Sequence, residues 1–582
     1  MDAVCQFCGA KHWRAERVDG TINSPIFSHC CHHGAVVLPQ LPPPPLPIRA
    51  LFEDQTPTAR HFCQHIWQYN CCFAFTSFRA NNDDVNLDGR GPWTWKTGYQ
   101  IYHSARTLRP DPGDNPSYAQ LYFYDAADAL NYRNQRNPNL RGEIIDIIQQ
   151  ALHQSNPFCQ VFLHARDVLH QQHCGTLAIR IVNNPEADQR RYNAPTVDEI
   201  AVLIVGNDQD ANDGRDIILR PRDGGLQRIS DLHSAYAPLH YVLLFPLGTA
   251  GWNTNLTLHP AKVKRMTQVQ FYSYRLHVRD NDYPTIHLAG RLFQQYLCDI
   301  WVSSDQNRLR WIQHNQPRLR AALYSGLEDV ASQQDDNLDL HSIGQRVILP
   351  SSYIGGPRYM NQRFQDAVAV ARHYHGFDLF ITFTSNPSWN VLTSELLPGQ
   401  TTSDRPDLVV RVFNMYKIAL LDDIVNKNIF GHILARVYSI EFQKRGLPHM
   451  HLLLSLYPRD RPRTPADVDC IIRASWPDSE QEPQLFDIVK CCMVHGPCGS
   501  AFPHAPCMRE GKCSKGFPKP FQPVTLMTTE GYPTYARPPD GRTFDIGGFA
   551  ADNRWIVPYN PYLLMRFVFL NCKLHFYLTI SM

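Results

Sequence analysis

Cysteine placement constrains this chain more than any other feature. The 582 residues include seventeen cysteines, and nine of these, including Cys491 and Cys492, fall into two clusters, one near each end. The first cluster opens with Cys5-x2-Cys8 and is followed by Cys30, Cys31 and His33. The second has the spacing His495-x2-Cys498-x8-Cys507-x5-Cys513. Four thiol or imidazole ligands in a short loop-rich span are what a tetrahedral structural zinc site requires.

Metal binding is a better explanation of these clusters than disulfide bonding. The first residues lack the basic and apolar regions of a signal peptide, so we expect a reducing intracellular compartment. We therefore predict one or two structural Zn²⁺ ions, at Cys5, Cys8, Cys30 and Cys31 and at His495, Cys498, Cys507 and Cys513. At the first cluster, His33 could replace a cysteine, and at the second Cys491 or Cys492 could do so. The alternative for both clusters is a set of free thiols.

Bulk composition excludes several classes of protein. Hydrophobic residues make up 43% and charged residues 19%, which is typical of a globular chain and not of a disordered one. Lys and Arg number 56 and Asp and Glu 54, so any surface that binds nucleic acid must be local. The sequence has no uncharged apolar run of about 18 residues, so we expect no membrane partner. It also contains no P-loop, Gly-x-Ser-x-Gly or His-Glu-x-x-His motif, so we expect no nucleotide cofactor.

Composition shifts along the chain predict four segments. A proline-rich stretch at 38–47 reads as a spacer, so residues 1–50 form a zinc-binding segment with its linker. Residues 51–260 have mixed α/β patterns, residues 261–475 hold the clearest alternation of helix and strand, and residues 476–582 hold the second zinc-binding segment. Within the second segment, polar residues 206–214 separate two β-like runs. They lack the glycine and glutamate that a calcium loop needs, so we predict a hairpin turn there.

Residues 261–345 mix arginines and lysines with aromatic side chains. Arg308, Arg310 and Trp311 exemplify this pattern, which suits phosphate contact combined with base stacking. Lys444 and Arg445 are further candidates for DNA contact. An amphipathic helical surface without a ligand would produce the same pattern.

The order strand, helix, strand, helix, strand is predicted over residues 346–460. Apolar residues at helical spacing run from Met360 to Tyr374 and from Val409 to Ile424. Residues 377–384, 433–442 and 449–456 have the β-branched and aromatic content of strands. The fold class expected is α+β.

The third of these strands carries His449-Met-His451. Because residues i and i+2 of a strand point to the same side, both imidazoles project together and can bind one metal ion. Glu441 and Gln443 share one face of the preceding strand and could supply a third ligand. The alternatives are two unrelated polar residues on a half-buried strand, and a surface carboxylate that pairs with Lys444 or Arg445.

Several segments together make the chain resemble the N-terminal, helicase-like portion of Helitron transposases, which are rolling-circle elements. These segments are 5–10 (CQFCGA) with Cys30 and Cys31, 349–359 (LPSSYIGGPRY), 379–389 (LFITFTSNPSW), 441–451 (EFQKRGLPHMH), 495–498 (HGPC) and 558–562 (PYNPY). The resemblance covers almost the whole chain to about Phe567. It implies a nuclear protein that takes part in DNA transposition and acts on single-stranded DNA.

The resemblance also implies a fold and a mechanism. The fold would be a Rep-type antiparallel sheet flanked by helices, with residues 380–389 as its first motif. His449 and His451 match the metal-binding pair of such endonucleases, where Mg²⁺ or Mn²⁺ polarises the scissile phosphate. A tyrosine then attacks, which leaves a 5′-phosphotyrosine link and a free 3′-hydroxyl.

The sequence departs from this family after Phe567. The family's Lys-Tyr-rich catalytic helix is not found, and Tyr559, Tyr562 and Tyr577 are left as the candidates for the nucleophile. We therefore expect a truncated copy that keeps the DNA-binding and metal-binding parts and lacks both the catalytic tyrosines and a helicase domain. The alternative is a non-catalytic, zinc-stabilised DNA-binding protein.

Overall fold

The computed structural model describes residues 1–80, 101–111, 113–171, 177–181, 201–205, 217–219, 227–259, 264–316, 348–442, 446–500, 502–527, 533–567 and 578–579. These residues fall into two compact units, one up to Leu309 and one from Arg310 onward. Both units combine helices with small sheets, so the fold is of the expected α+β class. Within the described ranges, no helix has both the length and the apolar composition that a membrane crossing needs.

The first unit is mainly helical. Its helices are α1 (Leu46–Glu53), α2 (Pro57–Phe73), α3 (Ala126–Arg136), α4 (Gly142–Ser155), α5 (Pro157–Gln171), α6 (Tyr236–His240), α7 (Gln268–Leu276), α8 (Thr285–Leu288) and α9 (Gly290–His314), of which the last continues into the second unit. Its strands are β1 (Ala3–Val4), β2 (Lys11–His12), β3 (Asp19–Gly20), β4 (Pro25–Ile26), β5 (Ser77–Ala80), β6 (Ile101–Ala105), β7 (Leu177–Ile181), β8 (Ala201–Val205), β9 (Ile217–Leu219) and β10 (Gln227–Arg228). The sheets have the orders β1-β2, β3-β4, β10-β6-β5 and β8-β7-β9.

The stripe of α4 shows why this unit packs as it does. Ile144, Ile148 and Leu152 lie on one helix face and are fully buried, as their spacing predicts. The predicted hairpin between β8 and β9 is wrong, because β7 pairs with both strands and separates them. Residues 206–214 themselves lie outside the described residues.

A polar network is buried at the centre of the first unit. The carboxylate of Asp299, on α9, accepts hydrogen bonds from the hydroxyls of Tyr236 and Tyr241, both at 2.8 Å. His103 Nε2, on β6, lies 2.8 Å from the same carboxylate, and neither side chain is more than 1% exposed. Burial acts to raise the pKa of Asp299, but attraction to His103 and these hydrogen bonds outweigh it, and the pKa is lowered.

The second unit is built on one antiparallel sheet. Its helices are the end of α9, α10 (Pro357–His373), α11 (Asn390–Thr393), α12 (Pro406–Val425), α13 (Pro465–Ile471), α14 (Pro483–Cys492) and α15 (Pro561–Phe567). Its strands are β11 (Leu379–Thr384), β12 (Ile433–Phe442), β13 (Pro448–Leu456), β14 (Met508–Arg509), β15 (Lys512–Cys513), β16 (Phe544–Asp545), β17 (Ala550–Ala551) and β18 (Leu578–Thr579). The main sheet has the order β12-β13-β11-β18, and β14-β15 and β16-β17 form separate pairs.

One face of the main sheet is covered by helices. Ile381 and Phe383 of β11 and Met450 of β13 point to this face and are fully buried. The ring of Phe413, on α12, stacks on Phe383 with 5.4 Å between the ring centroids. The predicted stripe of α12 is thus confirmed as the side that packs on the sheet, and the side chains that alternate with Phe383 must point to the opposite face.

Helix α10 behaves differently from α12. The expected helix is present, and Gly356 precedes Pro357 at its start. Its predicted apolar side is not buried, however, since Met360 is 56% and Phe364 63% exposed.

Candidate metal centres

Two rows of polar side chains cross the main sheet on the face opposite α12. In the first row Thr384 lies directly across from His449, which lies across from Glu441. In the second row Thr382, His451 and Ser439 are aligned in the same way. Directly opposed residues of antiparallel strands point to the same side, so the register places both predicted histidines and Glu441 on one face.

Threonine hydroxyls fix the orientation of the two imidazoles. Thr384 Oγ1 lies 2.5 Å from His449 Nδ1, and Thr382 Oγ1 lies 3.2 Å from His451 Nδ1. The Phe380 ring stacks on His451 with 5.4 Å between centroids and 9° between the planes. The two imidazole centroids are 4.4 Å apart. With Nδ1 occupied in both rings, Nε2 is the nitrogen that each histidine can offer to a metal ion.

This histidine face is open on its β12 side. Ser439 and Glu441 are exposed, and both histidines are half-buried. Among the described residues, three or more potential ligand atoms lie within 4.8 Å of one another in two places, the N-terminal and the C-terminal Cys/His clusters. The histidine pair is not among them, so the Glu441 carboxylate does not lie within this distance of both imidazoles. Gln443, Lys444 and Arg445 lie outside the described residues.

The candidate tyrosines do not join this face. Tyr559 is fully buried and donates its hydroxyl to the Ser475 carbonyl at 3.1 Å, and burial raises its pKa. Tyr562 lies on α15 and its hydroxyl bonds Asp423 of α12 at 3.3 Å. The Phe567 ring of α15 also meets Phe383 at 6.1 Å, so α15 packs on the helix-covered face. These positions argue against Tyr559 and Tyr562 as nucleophiles at the histidines, and Tyr577 lies outside the described residues.

The N-terminal cysteines are gathered into one cluster. The sulfur atoms of Cys5, Cys8, Cys30 and Cys31 all lie within 4.8 Å of one another, a set that could hold a zinc ion. The turn between β1 and β2 brings the first pair together, since Cys5 N–H bonds the Ala10 carbonyl at 2.8 Å. His33 is not part of the group.

The environment of the cluster favours thiolate at Cys5 and Cys8. Hydrogen bonds among the four sulfurs lower the pKa of Cys5 to about 6 and also lower the pKa of Cys8, whereas the pKa values of Cys30 and Cys31 are raised. Arg279 donates from Nη2 to Cys8 Sγ at 3.5 Å and from Nε to the Cys8 carbonyl at 3.0 Å. A cation beside a metal-binding sulfur orients it and offsets its charge. The sequence spacing did not indicate Arg279, because this residue lies 271 positions after Cys8 in the chain.

The C-terminal cluster contains the four predicted residues. His495, Cys498, Cys507 and Cys513 have ligand atoms within 4.8 Å of one another and could likewise hold zinc. Cys513 Sγ lies 3.3 Å from His495 Nε2, and the Phe517 ring stacks on the imidazole with 4.2 Å between centroids. Cys491 and Cys492 end helix α14 and are not part of the cluster.

The predicted DNA contacts on α9 are partly exposed. Arg308 is exposed, and its guanidinium lies 5.8 Å from the centroid of the Trp301 ring. Trp311 is 51% exposed, whereas Arg310 is half-buried. An exposed indole and guanidinium are able to stack on bases.

Sequence reasoning missed Thr382 and Thr384. The sequence contained an indication of both residues. Thr382 and Thr384 are at every second position of the strand after Phe380, so they share its face and alternate with the buried Ile381 and Phe383. Only the register with β13 shows that each hydroxyl meets a particular imidazole.

Comparison with known families places these observations in context. Residues 271–454 match the family described as the Helitron helicase-like domain at the N-terminus. The match contains β11, β12 and most of β13, and with them both histidines and both threonines. This part of the chain is therefore Helitron transposase-like, as the sequence resemblance implies. No curated protein matches the chain.

Proposed function

From this Helitron transposase-like region, we propose that the chain is a nuclear protein that binds single-stranded DNA and cleaves it with metal assistance, on a Rep-type sheet. The observation that carries the proposal is the pair of parallel contacts that lock His449 and His451 on one open face. Mg²⁺ or Mn²⁺ bound there would polarise the scissile phosphate.

The chain's own residues have defined parts in this proposal. For an imidazole to bind metal through Nε2, its Nδ1–H would donate to the threonine hydroxyl, which would hold the ring in that tautomer. Glu441, across from His449, lies on the side of the pair that is open to solvent, and its carboxylate would have to turn toward the imidazoles to act as a third ligand. The exposed edge of the face leaves room for an extended strand of DNA.

A second candidate function rests on the tyrosines. Tyr559 is buried and Tyr562 lies with α15 on the helix-covered face, so neither is assigned as nucleophile. This favours a non-catalytic DNA-binding protein stabilised by zinc at the two Cys/His clusters.

Incubation of the full chain with end-labelled single-stranded DNA and Mn²⁺, followed by a denaturing gel, separates these functions. The first predicts cleavage or a covalent adduct that is lost in His449→Ala and retained in the control His373→Ala, an exposed histidine on α10. Intact DNA that remains bound supports the second function. Absence of DNA binding at low salt would contradict both.

A further inference from the structure

The cysteines Cys507 and Cys513 enclose a short β-hairpin, here called the basic hairpin. Its strands are β14 and β15, with Arg509 directly across from Lys512. The two turn residues, Glu510 and Gly511, have φ values of 50° and 75°. Positive φ at both central positions is the mark of a type I′ turn, which keeps the strands in close register. Both ends of the hairpin are thus tied to the His495 cluster.

The cross-strand pair in this hairpin carries two like charges. Arg509 and Lys512 are both exposed, and the ion pairs among described residues include neither of them. Like charges directly opposite each other in a sheet destabilise it. An anion between the two side chains would turn this repulsion into attraction.

More cations and aromatic rings follow at once in the sequence. Residues 507–521 hold four cationic side chains and one acidic one, Glu510. Lys515 is exposed, and Lys519 Nζ lies 5.2 Å from the centroid of the Phe517 ring. The Phe521 ring is 40% exposed, and the Arg554 guanidinium lies 4.7 Å from its centroid. Cations beside the exposed Phe521 ring suit a single strand, whose phosphates and unpaired bases are both available.

We infer that the basic hairpin is a second contact surface for single-stranded DNA, in which Arg509 and Lys512 grip one backbone phosphate and Phe521 stacks on a base. The inference rests on the proposed function, since it takes the same strand as the histidine face to be the ligand. The Cys/His cluster fixes the hairpin, so that its cations are held in place before DNA arrives and little ordering entropy is lost on binding.

The sharpest test is Lys512→Glu in the full chain. The new carboxylate would pair with Arg509, which favours the hairpin fold while it removes both cations from the phosphate. Single-strand binding has a salt slope of about 0.7 for each phosphate neutralised, so loss of this one phosphate contact should make the slope of log K against log salt shallower by about 0.7. Lys490→Glu, at an exposed lysine on α14, makes the same change of charge and should leave the slope unchanged.

Fluorescence anisotropy with a labelled oligonucleotide over a series of salt concentrations measures the slope, and zinc content checks the fold. Equal slopes for Lys512→Glu and Lys490→Glu would overturn the inference, and so would a hairpin effect seen only with duplex DNA. The proposed function fails separately, if His449→Ala leaves Mn²⁺-dependent cleavage intact. Arg509→Ala gives a second reading, because it leaves Lys512 as the single cation at that phosphate, and it should weaken single-strand binding at low salt.

Discussion

Replacement of Asp299 by Asn tests the buried network of the first unit. The carboxylate accepts hydrogen bonds at 2.8 Å from Tyr236 and Tyr241, and His103 Nε2 lies 2.8 Å from it. A bond to a charged acceptor contributes about 1.5–3 kcal/mol, and a neutral one about 0.5–1.5 kcal/mol. Two such reductions, together with the weakened attraction to His103, suggest a loss of about 3 kcal/mol in the free energy of unfolding, as for other broken buried pairs.

This loss is measured by urea unfolding, with hydrogen exchange in peptides from α9 as the readout. A readout specific to the first unit is needed because the two units need not unfold together. The control Asp280→Asn removes an exposed pair with Lys11 and should cost less than about 1 kcal/mol. Equal effects of the two substitutions would refute the reasoning.

The same network predicts a pH dependence. Because the folded pKa of Asp299 lies below its ordinary value of about 3.9, its contribution is complete above that pH and is lost as the pH falls through the folded pKa. The difference between wild type and Asp299→Asn should therefore shrink in acid. A difference that grows as the pH falls would contradict the assigned direction.

Three further predictions concern the metal centres. Thr384→Val should weaken Mn²⁺ binding about 10–100-fold by calorimetry, because His449 loses its orienting partner, whereas Thr384→Ser should restore it. Cys8→Ser and Cys513→Ser should each remove one equivalent of zinc in metal analysis, and a loss of both equivalents from either variant would contradict independent sites. Tyr562→Phe should leave any covalent DNA adduct intact, because the phenol lies on the helix-covered face, and disappearance of the adduct would show that face assignment to be wrong.

Much of the second unit follows from sequence periodicity. The strand at Leu379–Thr384 and the helix at Pro406–Val425 appear close to the predicted positions. Helix α10 is also where its spacing predicts, yet its apolar side is exposed. Periodicity reports which side chains share a side of an element, but burial depends on what packs against that side.

The sequence by itself determined which side chains come together at the candidate metal centres. The short spacings within each Cys/His cluster and the i, i+2 spacing of His449 and His451 bring these side chains together through local backbone geometry, so they can be identified directly from the sequence. Only the tertiary structure decided which residues surround them. Thr384 reaches His449 across 65 residues and Arg279 reaches Cys8 across 271, and such contacts depend on strand register and chain folding, which local spacing does not encode.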